Sequence, residues 1–135
     1  MRSVDVCLTH QDFDNYDHKG KIVVVIDVLR ATSTINTLLF LGADHVRPIG
    51  SLEECKSLKD HDYIIMAERL GKKVEGFDYG NSPTKLTEKD IKGKKVAIAT
   101  SNGSKAIIKS EGSEMTILCS FLNIESVINL SLIHI

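Results

Sequence analysis

Apolar residues gather in six short runs along this chain, separated by polar or helix-patterned segments. The clearest run is Lys21-Ile-Val-Val-Val-Ile-Asp27, whose consecutive aliphatic residues fit a strand covered on both faces. Ser3 to Leu8, Ile22 to Val28, His45 to Ile49, Tyr63 to Met66, Lys95 to Ala99 and Met115 to Cys119 all read as strands. Between them, Ala31 to Leu41 reads as a helix stopped by Gly42, a natural left-handed cap. Ser51, with Glu54 three residues on, makes a capping box for a helix through Leu58. Thr87 to Ile91, Lys105 to Ser110 and the stretch from Ile124 onward complete the helices, while glycines break Gly71 to Pro83 into a long loop. The repeated β-then-α order predicts a three-layer α/β/α sandwich with a mostly parallel or mixed sheet.

Polar residues matter most where these strands end, because open α/β sheets place ligands at the C-terminal ends of their strands. Asp27 and Arg30 stand at the mouth of the first clear strand, and Thr32, Ser33 and Thr34 begin a helix whose unpaired N–H groups favour an anion. Glu68 and Arg69 follow Tyr63 to Met66 after a single alanine. Gly76-Phe-Asp78-Tyr-Gly-Asn81-Ser82-Pro83 carries glycines that let backbone approach a ligand and an Asn-Ser pair able to donate hydrogen bonds. Thr100, Ser101, Asn102, Gly103 and Ser104 follow Val96 to Ala99 and offer hydroxyls, an amide and backbone N–H groups in one turn. Each cluster also has a plain structural reading. Asp27 is equally a helix cap or a partner for Arg30, Glu68-Arg69 a solvated pair, Gly76 to Pro83 a self-packed loop, and Thr100 to Lys105 a strand-turn-helix connection. Four such clusters on one sheet edge favour a site able to supply cation ligands and phosphate donors.

Composition narrows the classes. The 135 residues, 42% hydrophobic and 26% charged, suit one globular domain, and a net charge of -1 offers no global attraction to nucleic acid or anionic membrane. Any anion site must therefore be local. Cys7, Cys55 and Cys119 are odd in number, widely separated and without metal-ligand spacing, which fits reduced, buried thiols and a cytoplasmic protein. Arg2, Asp5 and His10 interrupt any signal peptide, and no apolar run reaches membrane-spanning length. Asp12, Asp14 and Asp17 lack the central Gly and closing Glu of a calcium loop and read as solvated. No P-loop, dinucleotide fingerprint or GxSxG elbow occurs, Leu29 stands where an Asp-x-Asp phosphatase has its second acid, and no Cys-x5-Arg is present. Among phosphatase routes, metal-assisted hydrolysis by carboxylates and water is the one these residue types allow.

The blocks Val23 to Thr34, Gly42-Ala43, Glu68-Arg69, Gly76 to Pro83, Thr100 to Ala106 and Ser120-Phe-Leu-Asn123 together resemble the 2-phosphosulfolactate phosphatase family, in order through nearly the whole chain. The resemblance implies a magnesium-dependent phosphatase that converts 2-phospho-3-sulfolactate to sulfolactate and phosphate, a step in making coenzyme M. It places Mg²⁺ at the strand mouths on Asp27 and Glu68, with Arg30 clamping an anionic group and Asp78 as a further base or ligand. Thr32, Ser33, Thr34, Arg69, Asn81, Ser82 and the Thr100, Ser101, Asn102, Gly103, Ser104 turn become substrate-binding candidates. Thr100-Ser-Asn-Gly-Ser104 departs from the family's Thr-Thr-Asn-Gly-Thr but keeps every hydroxyl. Family members run to nearly twice this length, so residues 1–129 are expected to be the N-terminal portion of one domain, truncated at its C-terminus. Leu130-Ser-Leu-Ile-His-Ile135 matches the translation of a transposon end used in sequencing libraries and is expected to be a non-native tail, 130–135. Two other readings stay open: a noncatalytic anion- or nucleotide-binding module, and an inactive fragment. The partners expected are a small anionic phosphomonoester and, with room left for it, a second copy of the chain.

Overall fold

A computed structural model describes residues 3–134, and the side chains of 3–130. Ile135, the end of the expected tail, lies outside the described residues, as do the side chains of 131–134. The elements run β1 (Ile22–Ile26), α1 (Ala31–Phe40), β2 (His45–Pro48), α2 (Leu52–Ser57), β3 (Tyr63–Arg69), β4 (Lys72–Lys73), α3 (Glu88–Ile91), β5 (Lys95–Ala99), α4 (Gly103–Lys109), β6 (Met115–Cys119) and α5 (Ile124–His134). Short 3-10 turns occupy Asp12–Asn15, Leu58–His61 and Pro83–Lys85.

Local chemistry sets the element ends. Gly42, at φ +86, turns the chain out of α1, and the Gly42 and Ala43 N–H groups return to the Leu39 and Leu38 carbonyls. At α2 the Ser51 hydroxyl accepts the Glu54 N–H at 3.1 Å, which is half of the expected capping box. The β3–β4 connection is a two-residue hairpin through Leu70 and Gly71, both with positive φ.

The fold is the α/β class with mixed strands, and its strands divide into two sheets. Four strands run in the order β2-β5-β3-β4, the first three parallel and β4 antiparallel, while β1 and β6 form a separate parallel pair. One face of the larger sheet presents Met66, Val96 and Ile98 to Ile35 and Leu38 of α1, with Leu86 and Ile91 completing that core. Its other face presents Ile65, Ala67, Ala97 and Ala99 to Cys55 of α2, with Ile49 and Phe77. This sheet is thus the middle of three layers. Both α1 and α4 pack on β2 and on one strand of the β1–β6 pair, so the two helices bridge the sheets.

Two expectations are corrected here. Residues 3–8 form no strand: Val4, Val6 and Leu8 are exposed, and no strand pairs with them. A strand needs a neighbouring edge to satisfy its backbone, and apolar alternation alone cannot supply one. The β1 run is covered on one face and not on both, because Val25 is buried while Val24 and Ile26 are exposed. On the neighbouring β6 the same face is covered in part, since Cys119, the register partner of Ile26, is buried.

Candidate active site

At the mouth of β1 the backbone folds back on itself. The Asp27 N–H donates to the Thr32 hydroxyl at 3.2 Å, and the Thr32 N–H donates to the Asp27 carbonyl at 3.0 Å. That hydroxyl donates in turn to the Cys119 carbonyl at 2.7 Å, tying the ends of β1 and β6 together. Among the described residues nothing donates to the Asp27 carboxylate, which lies against the first residue of α4. A Cβ on Gly103 would stand 2.6 Å from Asp27 Oδ2 and closer still to the Ala31 methyl. Gly103 is therefore where the β5–α4 turn meets the β1–α1 turn, and only a glycine permits that approach.

Most of the hydroxyls at these mouths serve the fold. Ser33 donates to the Val28 carbonyl at 2.7 Å. Thr100 and Ser104 bind each other: the Ser104 N–H donates to Thr100 Oγ1 at 2.9 Å, the Thr100 N–H to Ser104 Oγ at 3.0 Å, and Ser104 Oγ to the Ile98 carbonyl at 3.0 Å. Thr34 Oγ1 is fully buried and has no partner among the described residues. Ser101 is half-buried and Asn102 exposed at the tip of the same turn, the two positions there that face outward with uncommitted side chains.

Arg30 opens onto a cleft of about 520 Å³ lined also by Gly71, Lys73, Asp78, Tyr79, Gly80, Asn81, Ser82 and Lys85. Its guanidinium reaches the Gly71 carbonyl at 3.5 Å, and the Gly71 N–H donates to Glu68 Oε1 at 2.6 Å. The Gly71 peptide thus links the β1 mouth to the β3 end. Asn81 is only 4% exposed, yet neither end of its amide has a hydrogen-bond partner among the described residues, and its Oδ1 is fully shielded. Ser82 shares a hydroxyl contact with Thr84 at 3.2 Å. Burial, and then the Asp90 carboxylate, hold the Tyr79 phenol above its usual pKa, so it lines the cleft uncharged.

Asp78 is committed elsewhere. Lys59 donates to one carboxylate oxygen at 2.9 Å and the Ile65 N–H to the other at 3.0 Å, locking the 76–81 segment along β3. Burial alone would raise its pKa, but these two hydrogen bonds and the charges of Lys59 and Lys73 outweigh it and hold the carboxyl below its usual value. Arg69 donates to the Glu68 carbonyl at 2.7 Å. The glycines of this loop also act within the fold, since Gly80 lies so close to Lys73 that an added Cβ would stand 3.2 Å from the Lys73 Cβ.

Sequence reasoning passed over Lys73 and Lys85, because scattered lysines carry no spacing signal. It also left Asn36 out. The Asn36 amide donates to Ser120 Oγ and Asn123 Oδ1, each at 3.0 Å, and joins α1 to the turn after β6. For a divalent cation, the described residues contain no group of three or more His, Cys, Asp or Glu able to close a cage. A hard cation held by one or two carboxylates, water and substrate oxygens needs no such cage. The uncommitted Asp27 carboxylate is a donor of that kind, and Glu68 keeps one oxygen free beside its bond to the Gly71 N–H.

An α/β domain with an open carboxylate, a fixed hydroxyl turn and a cationic cleft at its strand mouths defines an anion-handling site. The chain belongs to the 2-phosphosulpholactate phosphatase family, whose sequence profile matches residues 7–133. A protein of Caldanaerobacter subterraneus subsp. tengcongensis named "Probable 2-phosphosulfolactate phosphatase" is 42% identical over 123 residues, which is 88% of this chain and 51% of that protein. Proteins of the same name are 42% identical over 127 residues in Clostridium acetobutylicum, covering 92% and 54%, and 43% identical over 108 residues in Thermotoga maritima, covering 80% and 47%. The chain spans about half the length of the curated relatives it matches. No helix among the described residues is long and apolar enough to cross a membrane.

Proposed function

We propose that this site serves the hydrolysis of 2-phosphosulfolactate to sulfolactate and phosphate, with Mg²⁺ as cofactor. The observation that carries the reading is the uncommitted Asp27 carboxylate wedged against Gly103, three residues before the Arg30 that lines the cleft. Asp27, with Glu68, would hold the cation. When bound, Mg²⁺ supplies Lewis acidity toward a phosphate oxygen. Water adds to phosphorus, the bond from phosphorus to the ester oxygen breaks, and that oxygen leaves protonated as the hydroxyl of sulfolactate. Arg30 presents a planar fork to an anionic group, and Ser101, Asn102 and the adjoining N–H groups can donate to negative charge that develops on the phosphoryl oxygens. Support for the substrate comes from the family and from the name its relatives carry.

The test is phosphate release from 2-phosphosulfolactate and from other phosphomonoesters, with and without Mg²⁺, by the chain and its Asp27→Asn variant. The reading expects Mg²⁺-dependent release that falls at least about 100-fold in Asp27→Asn, with thermal unfolding unchanged. Calorimetric binding of the ester with no release would favour a noncatalytic anion-binding module. Unchanged turnover in the variant would remove Asp27 from the chemistry.

A further inference from the structure

The cleft that Arg30 lines carries more positive charge than a single phosphate requires. Arg30, Lys73 and Lys85 line it, against one carboxylate, Asp78, which Lys59 already pairs. The lysines come from different elements, Lys73 from β4 and Lys85 from the end of the Pro83–Lys85 turn. Lys73 is fixed in place: its ammonium donates to the Phe77 carbonyl at 3.1 Å, and its stem packs on Gly80. The Lys85 ammonium has no partner among the described residues. The nine-tenths-buried Asn81 lines the same cleft, and among the described residues its amide makes no hydrogen bond. Its shielded Oδ1 is an acceptor and cannot pair with an anion, so the Nδ2 is the end of the amide that can donate to a ligand oxygen.

We propose that this cleft holds the carboxylate and sulfonate of the substrate, and that Lys73 and Lys85, with Asn81, determine specificity for them. The inference rests on the phosphatase reading, and it divides the site in two. The transferable phosphoryl group lies at Asp27 and the Gly103 turn, and the non-reacting acidic end lies across Arg30 in the cleft. Sulfonate and carboxylate oxygens suit this lining. An ammonium is a point charge that meets either group without a fixed fork, while Arg30 at the junction can serve both halves. A phosphomonoester without a second and third acidic group would leave these cations without a counter-ion and bind more weakly.

Calorimetry on the full chain with Mg²⁺ tests this, using sulfolactate and inorganic phosphate as separate probes against wild type, Lys73→Gln, Lys85→Gln and Lys85→Arg. Each Gln variant is expected to weaken sulfolactate binding about tenfold while leaving phosphate binding unchanged, and Lys85→Arg to retain most of the affinity. Circular dichroism confirms folding, and Lys85→Gln decides alone if Lys73→Gln disturbs β4. Equal losses for both probes, or no loss for sulfolactate, would overturn the inference. Wild-type protein that binds phosphate but not sulfolactate removes the cleft's role and leaves the phosphatase reading standing. Binding of neither probe removes both.

Discussion

Gly103 shows how one missing side chain can make room for a carboxylate. Its α-carbon lies where any Cβ would enter both the Asp27 carboxylate and the Ala31 methyl. Gly103→Ala is expected to destabilise the chain by about 1–3 kcal/mol and to displace Asp27, which urea unfolding and phosphate release would both register. Asp78 carries a different kind of commitment. Its folded pKa lies below the unfolded value, so its contribution to stability is present above about pH 4 and is lost as pH falls through the folded value. Asp78→Asn should therefore cost about 1 kcal/mol at neutral pH, chiefly through the weakened bonds to Lys59 and Ile65, and the gap from wild type should close in acid. A gap that stays constant from pH 7 down to pH 2 would show that the charge plays no part.

Element by element, the chain is readable where local rules decide and opaque where partners do. The β1 run, the Gly42 stop and the Ser51 cap were legible because each depends on residues within a turn of one another. Ser3 to Leu8 misled because pairing needs an edge elsewhere in the chain, and the division into two sheets is likewise a matter between distant strands. Asp27, Arg30 and Asn81, named from strand-end and loop chemistry, keep side chains free of the fold's own hydrogen bonds or turned to the cleft. The inward roles of Thr32, Ser33, Thr100 and Ser104 could not be read that way, since a hydroxyl's choice between backbone and ligand depends on turn geometry. The β3–β4 hairpin carries a testable local conflict. Leu70 occupies a left-handed position that suits asparagine or glycine, and its side chain is exposed. Leu70→Asn is expected to stabilise the chain by about 1 kcal/mol, read as a higher urea midpoint at unchanged slope, and a lower midpoint would contradict the hairpin geometry.

At the scale of the molecule, the two sheets are finished to different degrees. The larger one is buried on both faces by α1 and α2, whereas the second face of the β1–β6 pair is covered at Cys119 of β6 and open along β1. Val24 and Ile26 of β1 and Met115 of β6 are exposed, and the paired strands lead to the uncovered Leu29, Phe121 and Leu122, which are 88%, 77% and 65% exposed. Apolar groups set so near one another at two adjacent strand ends make a surface of the kind that binds partners or hydrophobic dyes. The 135-residue chain is expected to enhance the fluorescence of an anionic naphthalene dye under native conditions. Because anionic dyes also respond to cations, an uncharged probe should give the same result, which separates this surface from the Arg30 cleft. Val24→Thr with Ile26→Thr should lower the signal while changing stability by less than about 1 kcal/mol, since both side chains already face water. Loss of dye binding only upon Lys85→Gln, with the threonine pair silent, would move the dye to the cleft and show that the exposed face of β1 is covered in solution.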